Sequence, residues 1–66
     1  MTFTDRSNFP VEINPETVRG LHEVYMDGKI HTVIQYERRI PGDNQGSVQS
    51  MIVKEPIDEV RERLGQ

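Results

Sequence analysis

Apolar and polar residues alternate along most of this chain with a period of two. Phe9, Val11 and Ile13 alternate with Pro10 and Glu12, which predicts a short strand with one apolar face. Pro10 cannot donate to a ladder, so this strand belongs at an edge or at a strand start. From Val18 to Met26 two sets interleave: Leu21, Glu23, Tyr25 and His22, Val24, Met26. Asp27-Gly28 follows, a strong signal for a two-residue hairpin turn. Such a turn sets the register. Met26 faces Lys29, Tyr25 faces Ile30, Val24 faces His31, Glu23 faces Thr32, His22 faces Val33 and Leu21 faces Ile34. One face then carries Leu21, Tyr25, Ile30, Ile34 and Tyr36, and is the better core. The other carries His22, Val24, Met26, His31 and Val33; it is mixed and suits a partner surface.

The strand after the turn is expected to run toward Ile40. Pro41 to Ser47 reads as a polar, glycine-bearing loop, and Val48 to Lys54 as a fourth strand. Apolar residues fall on both sides of that strand (Val48 and Ile52; Met51 and Val53), which places it centrally in the sheet. Asn14-Pro15-Glu16 predicts a turn, with Pro pre-setting φ and Asn bonding its own backbone. Pro56 fits the first position of a helix, and Ile57, Val60 and Leu64 make an apolar stripe that Gly65 ends. Asp58 and Glu59 fall in its first turn and Arg61 and Arg63 in its last, matching the helix dipole. Glu59 and Arg63 are spaced for an i,i+4 ion pair. Residues 1–8 show no period and are expected to form a flexible tail. The pattern predicts an α+β, mainly β domain over residues 9–66: a four-stranded antiparallel meander closed by one short C-terminal helix.

Composition sharpens this. Of 66 residues, 22 are apolar and 13 of those are Val or Ile, which leans to sheet. A domain this small is marginally stable alone, and the usual remedies are disulfides, metals or self-association. Cysteine is absent, which removes disulfides and zinc–thiolate sites, so a homo-oligomer is expected. The net charge of −3 argues against tight sequence-independent binding of nucleic acid. No run approaches the ~20 apolar residues of a membrane span. Met1 to Arg6 lacks the apolar core of a signal peptide, so the expected location is cytoplasmic.

Three segments carry a family resemblance: Val11-Glu12-Ile13-Asn14-Pro15-Glu16-Thr17-Val18, then Thr32-Val33-Ile34, then Ile52-Val53-Lys54-Glu55-Pro56-Ile57-Asp58-Glu59-Val60. Together they resemble the FlbD/SwrD-type small proteins of flagellar operons, and similar short chains of phages and prophages. The likeness spans about residues 11 to 64. The chain departs from the pattern in its longer Pro41 to Ser47 loop. The resemblance implies a non-enzymatic accessory protein and brings no catalytic residues; the leading reading is that the chain acts by protein–protein interaction and self-association. Length and element order are also similar to CsrA, a small RNA-binding regulator, by analogy of shape alone.

Chemistry-bearing residues are few. His22 and His31 are diagonal neighbours in the register above, but zinc wants three or four ligands and no cysteine helps, so they read as a surface or interface histidine pair. No Ser lies in a G-x-S-x-G setting, and Gly42 to Gly46 lacks the G-K-[ST] of a phosphate loop. No catalytic, cofactor or metal residue is expected. Arg38 and Arg39, with Arg19, form a basic spot that could meet RNA; strand-end charge that discourages edge pairing is the simpler reading. The expected interaction surface is therefore His22, Val24, Met26, His31 and Val33 with Arg38 and Arg39. A small-ligand site between protomers is the remaining alternative.

Overall fold

The computed structural model describes residues 1–38, 42 and 46–65. Among these, the elements run β1 (Thr2–Thr4), β2 (Pro10–Glu12), a 3-10 turn (Pro15–Thr17), β3 (Val18–Met26), β4 (Lys29–Arg38), β5 (Ser47–Val53) and α1 (Ile57–Leu64). β1 and β2 form a two-stranded antiparallel sheet, and β3, β4 and β5 a three-stranded antiparallel sheet in that order. The mainly β character and the single C-terminal helix match expectation. The single four-stranded meander does not: the first expected strand leaves the sheet and pairs with a further strand, β1.

β1 lies in the segment expected to be a flexible tail. Phe3 is almost wholly buried, in one cluster with Ile13, Val18, Ile34, Val53, Val60 and Leu64. The backbone of Thr4 is held on both sides. Its N–H donates to both carboxylate oxygens of Glu55, at 3.0 Å each, and its carbonyl accepts from Lys54 N–H at 2.8 Å. The chain turns back through Asp5–Phe9. One Asp5 carboxylate oxygen accepts from the N–H groups of Ser7 and Phe9, at 2.8 and 2.9 Å, and Asn8 adopts a left-handed φ of 67°. The Glu12 carboxylate accepts from the Met1 amino group and from the Thr2 hydroxyl, and these bonds hold it below the usual carboxylate range. Of the first expected apolar set, Ile13 is buried, Val11 half-buried and Phe9 exposed, because the turn carries Phe9 outward.

The β3–β4 hairpin has the expected register at all six positions from Met26↔Lys29 to Leu21↔Ile34. Asp27 and Gly28 both take positive φ, 52° and 75°, as a type I′ turn requires. A register shift between Val18 and Gly20 brings Val18 opposite Tyr36. The expected core face is the core face, but only over part of its length. Ile34 is fully buried and Leu21 and Tyr36 are half-buried, whereas Tyr25 and Ile30 are exposed. That pair sits by the hairpin turn, remote in the ladder from the buried cluster, in a molecule 40 Å along its longest axis. β4, not β5, is the central strand, and its residues His31 to Ile34 are all buried. β5 lies at the sheet's side, where among the described residues an isolated bridge from Asp5 to Val53 alone extends the ladder.

The helix follows its sequence signals except that Pro56 is the N-cap, with ψ 152°, and Ile57 the first helical residue. Val60 and Leu64 are buried, Ile57 is half-buried, and Asp58, Arg61 and Glu62 face water. Gly65 takes φ 76° and its N–H closes onto the carbonyls of Arg61 and Glu62. Arg63 does not pair with Glu59. It donates to the carbonyl of Thr2 at 2.6 Å and lies over the Phe3 ring at 4.6 Å, so it clamps β1 instead. No helix among the described residues is long and apolar enough to cross a membrane.

Phe3→Ala should therefore cost about 3–5 kcal/mol, a large part of the ~5–15 kcal/mol of an ordinary domain. Val60→Asp should be as severe, since it buries a charge without a partner. Arg61→Ala should stay within about 0.5 kcal/mol. Urea unfolding of the three variants checks this; a silent Phe3→Ala would mean that β1 is not docked.

Candidate functional site

Side chains alternate across the three-stranded sheet, so its register defines a second face opposite the core. The pairs His22↔Val33, Val24↔His31, Val33↔Ile52, Gln35↔Ser50 and Glu37↔Val48 share that face. None of its residues belongs to the buried cluster under α1. An antiparallel sheet with one solvated face normally makes that face polar. Here Val24, Met26, Val33, Val48 and Ile52 make it largely apolar. Val48 is 62% exposed, and Val24, Met26 and Ile52 are half-buried.

Five of the expected interaction residues thus meet on one surface: His22, Val24, Met26, His31 and Val33. His22 is exposed, while His31 and Val33 are buried, because β4 is central and strands flank it on both sides. Arg38 ends β4 and is exposed; Arg39 lies outside the described residues, as do Ile40 and most of the expected loop. Arg19 forms an ion pair with Glu37, so it is not available as part of a basic spot with Arg38. His22 and His31 are diagonal as expected, and among the described residues no group of three or more His, Asp or Glu side chains is placed to hold a metal.

His31 is the chemically unusual member. It is 9% exposed, and its Nδ1 has no hydrogen-bond partner among the described residues. Leaving such an atom buried costs about 1–3 kcal/mol. The cost is least when Nδ1 is a bare lone pair, which places the ring proton on Nε2. Beside His31, at the turn end of the face, the surface hollows into an open groove of about 780 Å³. Its walls are the Asp5–Ser7 turn on one side and Asp27 and Lys29 on the other; Ser50, Ile52 and Lys54 of the β5 end complete it. Arg6 donates to Asp27 at 3.3 Å and spans the two walls.

The groove was not legible in the sequence. Arg6 and Ser7 reach it only because β1 docks beside β5, and residues 1–8 show no period. The Asp5-Arg6-Ser7-Asn8 run, rich in turn formers, was the available signal.

No protein-family model, curated protein or solved structure matches the chain. The features above therefore stand on their own geometry.

His31→Leu tests the reading of the orphaned nitrogen. Replacing a buried, unpartnered polar ring by an apolar side chain should stabilise the chain by ~1 kcal/mol, or a rise of about 4–8 °C in Tm. Calorimetry decides it. A lower Tm would mean that the imidazole is satisfied in solution and contributes to the fold.

Proposed function

We propose that this chain is a non-enzymatic accessory or regulatory protein that acts through protein–protein contact, and that the open sheet face mediates its self-association. The observation that carries this reading is the run Val24, Met26, Val33, Val48 and Ile52 on a face that no described element covers. A second copy is the preferred occupant for two reasons. The core of one chain is small: seven buried apolar side chains make the cluster among the described residues. A domain of this size gains most from burying a further apolar surface. The face also carries little unpaired charge: His22, His31, Gln35 and Ser50 are polar members without formal charge, and Glu37, opposite Val48, is paired with Arg19. Two like faces can therefore meet without charge repulsion, as a two-fold interface requires. The likeness to FlbD/SwrD-type and phage accessory proteins points the same way. An RNA-binding role is less favoured, because Arg19 is engaged by Glu37 and the chain is acidic.

Light scattering at micromolar concentration should report a dimer or larger species. The double variant Val24→Lys, Val48→Lys should be monomeric with an unchanged far-ultraviolet circular dichroism spectrum, since neither side chain belongs to the buried cluster. A wild-type chain that is monomeric at every concentration would overturn the self-association, and an oligomeric double variant would place it elsewhere on the molecule.

A further inference from the structure

We propose that the groove beside His31 binds a small oxyanion, a carboxylate or a phosphate monoester, held by Lys29, Lys54 and the imidazole of His31. The inference concerns the single chain and goes beyond self-association; the groove shares His31, Ser50 and Ile52 with the turn end of the open face.

The charges lining the groove are unequal once their partners are assigned. Asp5 has a carboxylate oxygen occupied by two backbone N–H groups of its own turn, and Asp27 takes the Arg6 guanidinium. Both acidic groups are thereby committed to holding the walls. Lys29 has no ion pair among the described residues, and Lys54 Nζ meets only the neutral amide oxygen of Asn8, at 2.5 Å. With Asp27 taking Arg6, the charges left around the concavity are Asp5, Lys29 and Lys54, a surplus of one positive charge in a protein whose net charge is −3. A walled hollow concentrates such a local field.

The groove also offers neutral donors. The hydroxyls of Ser7 and Ser50 line it together with His31. The imidazole is nine-tenths buried and its Nδ1 lacks a partner, so the less costly tautomer carries its proton on Nε2, as a hydrogen-bond donor. A structural histidine at this position would find a protein acceptor or be replaced by an apolar residue without loss; a ligand-binding one tolerates the orphaned atom. Ile52 adds an apolar wall that can take the body of the molecule bearing the anion. Hydroxyls, ammoniums and one imidazole around an apolar strip are the donor set of an oxyanion site, in which charge-assisted hydrogen bonds supply most of the attraction.

The test is a nuclear magnetic resonance titration of the full chain with inorganic phosphate and, separately, with acetate, at fixed pH and with sodium chloride holding ionic strength constant. At least one anion should shift the His31 ring signals and the amides of Lys29, Ser50 and Lys54 along a single saturable curve, with a Kd of roughly 1–10 mM, suited to a minimal ligand. Tighter phosphate binding assigns the phosphate class, and tighter acetate binding the carboxylate class. Lys29→Ala and Lys54→Ala should each weaken binding about fivefold, the size of one lost charge-assisted contact. Arg61→Ala, on the helix, should leave Kd unchanged. The proposal is overturned if chloride alone reproduces the shifts, if they fail to saturate with either anion, or if the lysine variants bind as the wild type does.

Discussion

The docking of β1 against the end of β5 and the helix is the constraint on which the remaining structure depends. Three interactions act on three consecutive residues. Phe3 fills the centre of the core, Thr4 has its N–H and carbonyl taken by Glu55 and Lys54, and the Thr2 carbonyl takes the Arg63 guanidinium. Glu55 joins more than two strands, since its own carbonyl accepts from the buried hydroxyl of Thr32 at 2.7 Å on the central strand. A carboxylate accepting backbone N–H groups makes a charge-assisted bond, stronger than a neutral one. With β1 in place, β2 follows by pairing, and the two-stranded sheet adds Phe3 and Ile13 to the core shared by the three-stranded sheet and α1. With one sheet face filled in this way, the other is left uncovered.

That uncovered face and the groove at its end share a cause. The Asp5–Phe9 turn that brings the chain back to β2 stands beside the hairpin turn, where Arg6 meets Asp27. A three-residue strand thus does two things: it closes the core on one side and raises a wall on the other. His31 sits where these meet, on the central strand and under the groove. Its unpartnered nitrogen is the local exception in a small structure whose other described buried polar side-chain atoms are all partnered. Exceptions of this kind mark sites whose residues are not chosen for stability alone.

Local signals in the chain were readable where the physics is local. Asp27-Gly28 fixes a type I′ turn, and with it the pairing of every residue from Leu21 to Ile34. Pro56, the Ile57-Val60-Leu64 stripe and Gly65 fix the helix within its observed bounds. Half of the candidate site followed from that register: His22, Val24, Met26, His31 and Val33 were readable as one face. What was not readable depends on partners distant in the chain. Phe3 is one apolar residue among polar neighbours, and nothing near it announces that Glu55, 51 residues after Thr4, will cap its strand. Arg63 has a well-spaced local partner in Glu59 and forgoes it for Thr2 and Phe3, because a backbone carbonyl and an aromatic face together offer more than an exposed ion pair worth a few tenths of a kcal/mol. The exposure of Tyr25 and Ile30 has the same origin: periodicity assigns a face, while the extent of the covering elements decides how much of that face is buried.

The central claim is that the face carrying Val24, Met26, Val33 and Ile52 exists to be covered by another chain. The most direct measurement is the relaxation of methyl signals by a soluble paramagnetic agent, followed as protein concentration rises from the micromolar to the millimolar range. Methyl groups of Val24, Met26 and Ile52 should become shielded together, while those of Ile30, exposed on the opposite face, keep their relaxation throughout. Relaxation of the Val24, Met26 and Ile52 methyls that is strong and independent of concentration would show that the face stays open to water, and would contradict the claim.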